Sequence, residues 1–351
     1  MLLIVATLSL SSGAARAEEQ ATGHYFPGGL SSFIDLLPEN LGYSTFGYAN
    51  ESTYYHGSSN NLGPIAATSH ANATSYSNSS IFLYQFPEPI SILPGNPQYS
   101  AAVAVPYLWL NVHNVTGKHT DNGFGDVEMF PFMMGWTKPA HEKLNDGCTP
   151  NFLLKYQTEF GIYAPTGNFN NDLTANLGRN YWTFEPSAAF SYFDNRIGLE
   201  FTTSAGFDFN TKNNATHYQT GDQFHLDGTL AEHIAPYGRK GGVFGAGVSG
   251  FFYQQITGDS GRGAKFGSFE AMTTGVGPVL SYVYRVGAGT ESPTGVVLGG
   301  QVQWLPELSV SNRLNGNIVW LKLAVSWGTY VPCPNKAVAP NLRALDAIPA
   351  L

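Results

Sequence analysis

Gly258-Asp259-Ser260-Gly261 matches the tetrapeptide around a serine-protease nucleophile. Such a serine needs a histidine base and a carboxylate to orient that base, and no histidine here sits in a comparable setting. The tetrapeptide falls in an expected hairpin loop, where these residue types form turns. The nine histidines show no metal spacing: His217 and His225 lie eight apart on one expected strand, too far to share an ion. Two cysteines cannot make a four-thiolate zinc site. Cys148 and Cys333 fall on the same expected side of the molecule, so a disulfide between them is permitted in an oxidising compartment. The Asn-x-Ser/Thr sequons at Asn50, Asn72, Asn78, Asn114 and Asn214 are read as by-products of polar loops. No catalytic residue, metal site, cofactor or energy source emerges, and no enzyme is expected.

The informative polar residues are those that alternate with an apolar face. Over 196–210, Ile197, Leu199, Phe201, Ala205, Phe207 and Phe209 share one parity, while Glu200, Thr202, Ser204 and Asp208 share the other. Successive side chains of a strand point to opposite faces, so this segment is a strand with one apolar and one polar side. The pattern recurs with Trp182, Phe184 and Phe190 against Glu185, and with Tyr156, Phe160 and Ile162 against Lys155 and Glu159. It recurs again with Phe224, Leu226 and Leu230 against Gln223, His225 and Asp227, and with Leu321 and Leu323 beside Lys322. These runs are about 11–16 residues long, against a usual 5–6 in soluble sheets, and a tilted membrane strand needs roughly 9–11. Tyr163, Tyr181, Trp182 and Trp327 lie near strand ends, where interfacial aromatic girdles belong. A soluble sandwich with a wet outer face is the competing arrangement.

Twelve strands follow, near 42–55, 78–92, 98–112, 123–136, 151–164, 180–193, 196–210, 217–233, 242–256, 266–285, 294–306 and 314–327. The fold class is therefore all-β: a closed antiparallel transmembrane β-barrel, whose even strand count leaves no unpaired edge in lipid. Polar insertions at His56–Ser77, His113–Asn122, Asn168–Leu177 and Thr211–Thr216 are expected outside, with tight turns such as Asp194-Asn195 inside. Asp126, Glu128, Lys155, Glu159, Glu185, Glu200, Asp208, Gln223, His225, Asp227, Tyr253 and Lys322 then face the lumen. Ionised groups there need water or partners, which means either a wet channel or a packed salt-bridge network.

Composition agrees. The 351 residues contain 17 Lys plus Arg and 25 Asp plus Glu, 12% charged against about 25% in soluble domains. Aromatics reach 14% and the net charge is −8, which excludes a disordered chain and a basic nucleic-acid binder. Mean hydropathy is −0.12, and no apolar run is long enough for a transmembrane helix. The start, with Leu2–Leu10 apolar and Ala15-Arg16-Ala17 before Glu18, is the pattern of a secretory leader. The expected organisation is a leader at 1–17, an N-terminal segment at 18–41, a barrel at 42–327 and a tail at 328–351. The segment from His24 to Asn40 is expected to form a short helix. It either enters the lumen as a gate, with His24, Tyr25, Phe26, Pro27 and Phe33 as the gating residues, or packs as an arm on the rim.

Several blocks in order carry a resemblance: Gly23–Gly29; Gly123–Asp126; Tyr163–Gly167; Trp182–Ser187; Phe207–Asn210; Tyr218–Asp222 with Phe224–Asp227; and Gly250–Gln255 with Gly275–Pro278. Over about residues 23–327 the chain resembles an outer-membrane transporter family linked to the meta-pathway of phenol degradation. The resemblance implies residence in the bacterial outer membrane and passive entry of small hydrophobic or aromatic solutes. The implied partners are outer-membrane lipid, those solutes and the insertion machinery, with no nucleic acid. Such barrels usually end on an aromatic residue; Trp327 fits, but this chain runs on through a Pro- and Ala-rich tail. A lipid-modifying enzyme, a purely structural barrel and a secreted β-sandwich binding module are the alternatives.

Overall fold

The computed structural model describes residues 18–19, 23–32, 35, 45–59, 71–114, 117–144, 150–173, 175–234, 242–265, 267–286 and 295–328. The leader, Phe33, Cys148, Cys333 and the tail beyond Gly328 lie outside the described residues. The strands are β1 (Thr45–Ser59), β2 (Ala71–Gln85), β3 (Gln98–Asn114), β4 (Gly117–Phe124), β5 (Val127–Pro139), β6 (Phe152–Ala164) and β7 (Thr183–Asp194). They continue with β8 (Leu199–Asn210), β9 (Gln223–Ile234), β10 (Val243–Gln255), β11 (Met272–Arg285), β12 (Val296–Ser311) and β13 (Asn315–Trp327).

Apart from β4 and β5, which do not pair with each other, each strand pairs antiparallel with its neighbours in sequence, and β13 returns to β1, from Phe46 opposite Trp327 to Ser58 opposite Asn315. β4 and β5 share one place in the wall. β4 pairs with the Tyr107–Asn114 half of β3, and β5 pairs with its Gln98–Ala104 half. Gly125 and Asp126 form the break between them. The result is a closed twelve-strand barrel, the form in which strands can cross lipid.

The alternation in the sequence sets the two faces. On β8, Phe201, Phe207 and Phe209 are 42–45% exposed on the outside, whereas Glu200 and Asp208 are 0–1% exposed within. Trp182 and Trp327 are exposed near strand ends. Tyr163 and Tyr181 are not girdle residues: both are buried inside, because Tyr163 shares the parity of Lys155 and Glu159.

The first hairpin departs most from expectation. Residues 71–77, read as part of an outer insertion, are strand, and the second strand is Ala71–Gln85 rather than 78–92. Segment 117–122 of the second expected insertion is likewise strand. Polar residues occupy both faces of this hairpin, so no alternation marks it. Asn50 and Asn78 satisfy each other's amides across the ladder at 2.8–2.9 Å, and Asn78 also donates to Ser52 at 2.8 Å. These sequon asparagines lie mid-strand, not in loops.

Candidate functional site

The lumen is threaded by the N-terminal segment, from the end carrying the 211–222 and 256–271 loops to the opposite, turn end. At the loop end Glu18 accepts hydrogen bonds from the Tyr253 hydroxyl and from Gln223 Nε2 (3.1 Å), and pairs with Arg313 at 3.4 Å. The Arg313 guanidinium lies over the Tyr253 ring at 4.5 Å. Asp259 accepts the Glu18 N–H at 3.0 Å and also bonds Tyr218, Gly221 and Gln255. The Gly-Asp-Ser-Gly tetrapeptide is thus a docking loop.

Deeper in, His24 bridges Thr183 Oγ1 (2.7 Å) and Asp126 Oδ2 (2.9 Å), and its ring stacks on Tyr163. Asp227 grips the chain with both oxygens, accepting the Tyr25 hydroxyl and the Gly28 N–H at 2.7 Å each. Tyr25 stacks between His225 and Tyr253, and Phe26 meets Trp320 edge-on. Trp320 Nε1 donates to the Pro27 carbonyl at 2.8 Å and Gln303 Nε2 to the Gly28 carbonyl at 2.8 Å. At the turn end Ser32 donates to Glu200 at 3.0 Å, while Lys322 bonds the Gly29 carbonyl and Asp35, the latter at 2.9 Å.

The local geometry requires this sequence. The described part of the segment makes a turn over Pro27–Leu30, and most of the stretch expected to be helical, including Phe33, Ile34, Leu36 and Leu37, lies outside the described residues. Gly28 has φ +91°, and a Cβ there would lie 2.4 Å from Gln303 Nε2 and 2.7 Å from Leu305 Cδ1. Only glycine meets both demands at low cost.

Asp126 accepts bonds from His24, the Arg179 N–H (2.6 Å) and the Gly167 N–H (2.8 Å). Burial pushes the Glu18 carboxyl up to about 7, against the opposing pull of Arg313 and reinforced by Asp259. An acid whose docked value lies above its free value takes up a proton on docking. Docking is then favoured below pH 4.5 and weakens as pH rises to about 7, a change of roughly 3 kcal/mol. The expected outcome is a lumen more firmly filled at pH 5 than at pH 7.5, with Glu18→Gln reducing the difference. Tryptic cleavage at Arg313 or single-channel conductance across that range reads it.

The sequence-predicted lumen residues fall into groups. Asp126, Glu200, Gln223, Asp227, Tyr253 and Lys322 hold the threaded segment. Glu128 and Glu159 border a cavity of about 340 Å³ beside it. Lys155 is buried on the same inward face of β6. Glu185, Asp208 and His225 come together beneath Tyr25. That constellation escaped the spacing argument because its members sit on three different strands. Thr183, Gln303, Arg313 and Asp35 also went unrecognised. They are isolated polar residues without local pattern, and only their convergence on the segment marks them.

Three-dimensional comparison gives an outer membrane channel from Pseudomonas putida F1, at 16% identity and a TM-score of 0.56, covering 87% of this chain and 99% of that one. The beta domain of the Bordetella autotransporter BrkA aligns at 9% identity and a TM-score of 0.38, covering 81% and 99% respectively. No curated protein matches the chain. The first likeness places the fold among outer-membrane barrels, in keeping with the closed wall and apolar exterior, and so in the bacterial outer membrane. The family described as "Putative MetA-pathway of phenol degradation" matches residues 49–323, and the chain belongs to that family.

Proposed function

We propose that this protein is a passive outer-membrane channel for small hydrophobic or aromatic molecules, gated by the segment that runs from Glu18 to Asp35. The observation that carries the reading is the cavity beside the segment. Its wall mixes Ile81, Leu83, Leu108, Phe130 and Met133 with the carboxylates of Glu51, Glu128 and Glu159. At about 340 Å³ it lies at the small end of ligand pockets, which span about 300–1,000 Å³. An apolar wall with a few polar groups suits a one-ring solute that binds weakly and leaves again. The phenol-degradation description of the family points to the same solute class.

His24, Tyr25, Phe26 and Pro27 act in this reading as the gate, held by groups that also line the path. With the leader removed after Ala17, the Glu18 nitrogen is an ammonium, and its contact with Asp259 becomes an ion pair. Processing would then complete the gate at the loop end.

Planar-bilayer recording with phenol, toluene and a hydrophilic sugar as solutes tests the proposal. Flat aromatic solutes should block the current transiently where the sugar does not. A deletion strain should also take up an aromatic substrate more slowly at low concentration. Equal uptake with and without the protein across such a panel removes the transport reading.

A further inference from the structure

Glu185 on β7, Asp208 on β8 and His225 on β9 each offer one ligand atom, and the three atoms lie within 4.8 Å of one another. His225 Nε2 is 3.4 Å from Glu185 Oε1 and 3.8 Å from Asp208 Oδ1. The Asp208 side chain is 0% exposed. Neither of its oxygens has a hydrogen-bond partner, and neither ring nitrogen of His225 has one. A buried carboxylate without a partner costs several kcal/mol, so a compensating charge is called for.

Separation decides what supplies it. A proton shared between two such groups needs heavy atoms about 2.5–2.9 Å apart, and the His225 contacts are longer than that. A metal ion needs the wider spacing. Bonds of about 2.0–2.2 Å to imidazole nitrogen and carboxylate oxygen, opened at a tetrahedral angle, set ligand atoms roughly 3.4 Å apart.

The fold prepares the position. The β7–β8 register that pairs Phe184 with Phe209 and Ser187 with Gly206 sets Glu185 opposite Asp208. His225 lies across from Gly206, and a Cβ on Gly206 would sit 2.5 Å from His225 Nε2. The missing side chain is what lets the imidazole lean towards the two acids. The Tyr163 hydroxyl bonds Glu185 Oε2 and leaves Oε1 for the site. His225 Nδ1 faces Asp227 Oδ2 at 4.0 Å, and the Tyr25 ring covers the imidazole at 3.9 Å. Glu185 and His225 both border the 340 Å³ cavity, which provides a way in.

We propose that Glu185, Asp208 and His225 bind a divalent first-row transition-metal ion. Two carboxylates with one imidazole suit Zn²⁺, Mn²⁺ or Fe²⁺, whereas Ca²⁺ and Mg²⁺ prefer all-oxygen shells. The ion neutralises the paired acids and ties three neighbouring strands together directly beneath Tyr25. The site stands apart from the transport reading and does not depend on it.

The test uses untagged full-length protein, purified in detergent, stripped with chelator and titrated with Co²⁺. The expected result is one bound equivalent with visible ligand-field absorption, displaced by Zn²⁺. Asp208→Asn and His225→Gln should each weaken binding by roughly 100-fold or more, since even groups that merely support a ligand are worth 10–100-fold. Gly206→Ala, which keeps all three ligands, should weaken it too. Heat-modifiable migration on gels shows that each variant is folded. Absence of cobalt uptake by the wild-type protein overturns the proposal, as does undiminished uptake by folded Asp208→Asn. Should the variants not fold, electron paramagnetic resonance of the Cu²⁺-loaded wild type decides. Coupling to one nitrogen supports the site, and coupling to none or to several overturns it.

Discussion

Replacing Asp227 with alanine is expected to release the threaded segment and raise single-channel conductance, with the open population increasing about 100-fold or more. Asp227 grips the middle of the segment with both carboxylate oxygens, through the Tyr25 hydroxyl and the Gly28 N–H. Hydrogen bonds to charged groups contribute about 1.5–3 kcal/mol each, so losing both removes roughly 3–6 kcal/mol of docking energy. Each 1.4 kcal/mol is a factor of ten in the docked-to-free ratio. Gly28→Val reaches the same end from the other side of the contact. It brings a branched side chain into the space of Gln303 and Leu305 at a backbone angle that valine resists. Neither substitution alters the outward face of the barrel, so both proteins should still insert and migrate as heat-modifiable species. Deleting residues 18–41 sets the fully open conductance for comparison. If folded Asp227→Ala and Gly28→Val conduct like the parent protein, the segment is packing material and not a gate.

The second large effect concerns two consecutive residues. Leu321 lies near the middle of β13 and is 42% exposed on the lipid-facing side, whereas Lys322 is 3% exposed and points inward to Asp35. Leu321→Arg places a charge at membrane depth and should destabilise the barrel by about 2–4 kcal/mol. Urea unfolding in lipid vesicles would measure it. Lys322→Met leaves the outer face untouched and removes the bonds to Asp35 and to the Gly29 carbonyl. It should loosen the turn end of the segment while the unfolding midpoint of the wall moves little. Equal loss of wall stability from the two substitutions would contradict this division into a lipid face and a lumen face.

The same two solvents explain the composition. Charge is scarce because half of every strand meets lipid, and hydropathy stays near zero because the other half meets polar lumen groups. The alternation was legible wherever one face was strongly apolar, as on β6 to β9. It failed on the first hairpin, where Asn50, Ser52 and Asn78 face outward yet satisfy one another's hydrogen bonds. A code based on apolar parity has no signal for polar residues that pair laterally.

By itself, the sequence determined the closed antiparallel barrel, the twelve-strand count, the inward side of charged residues on the clearly alternating strands and a distinctive segment ahead of the first strand. A strand's period of two is a local property, so it can be read locally. Only the tertiary structure decided that this segment forms a turn and crosses the lumen, that Asp227 and Lys322 hold it, and that Tyr163 and Tyr181 face inward to it. It also decided that Glu185, Asp208 and His225 meet. These relations span up to 293 positions in the chain, from Gly29 to Lys322 for example. Register, ring closure and the empty space over Gly206 create them, and none of these is visible before the wall has closed.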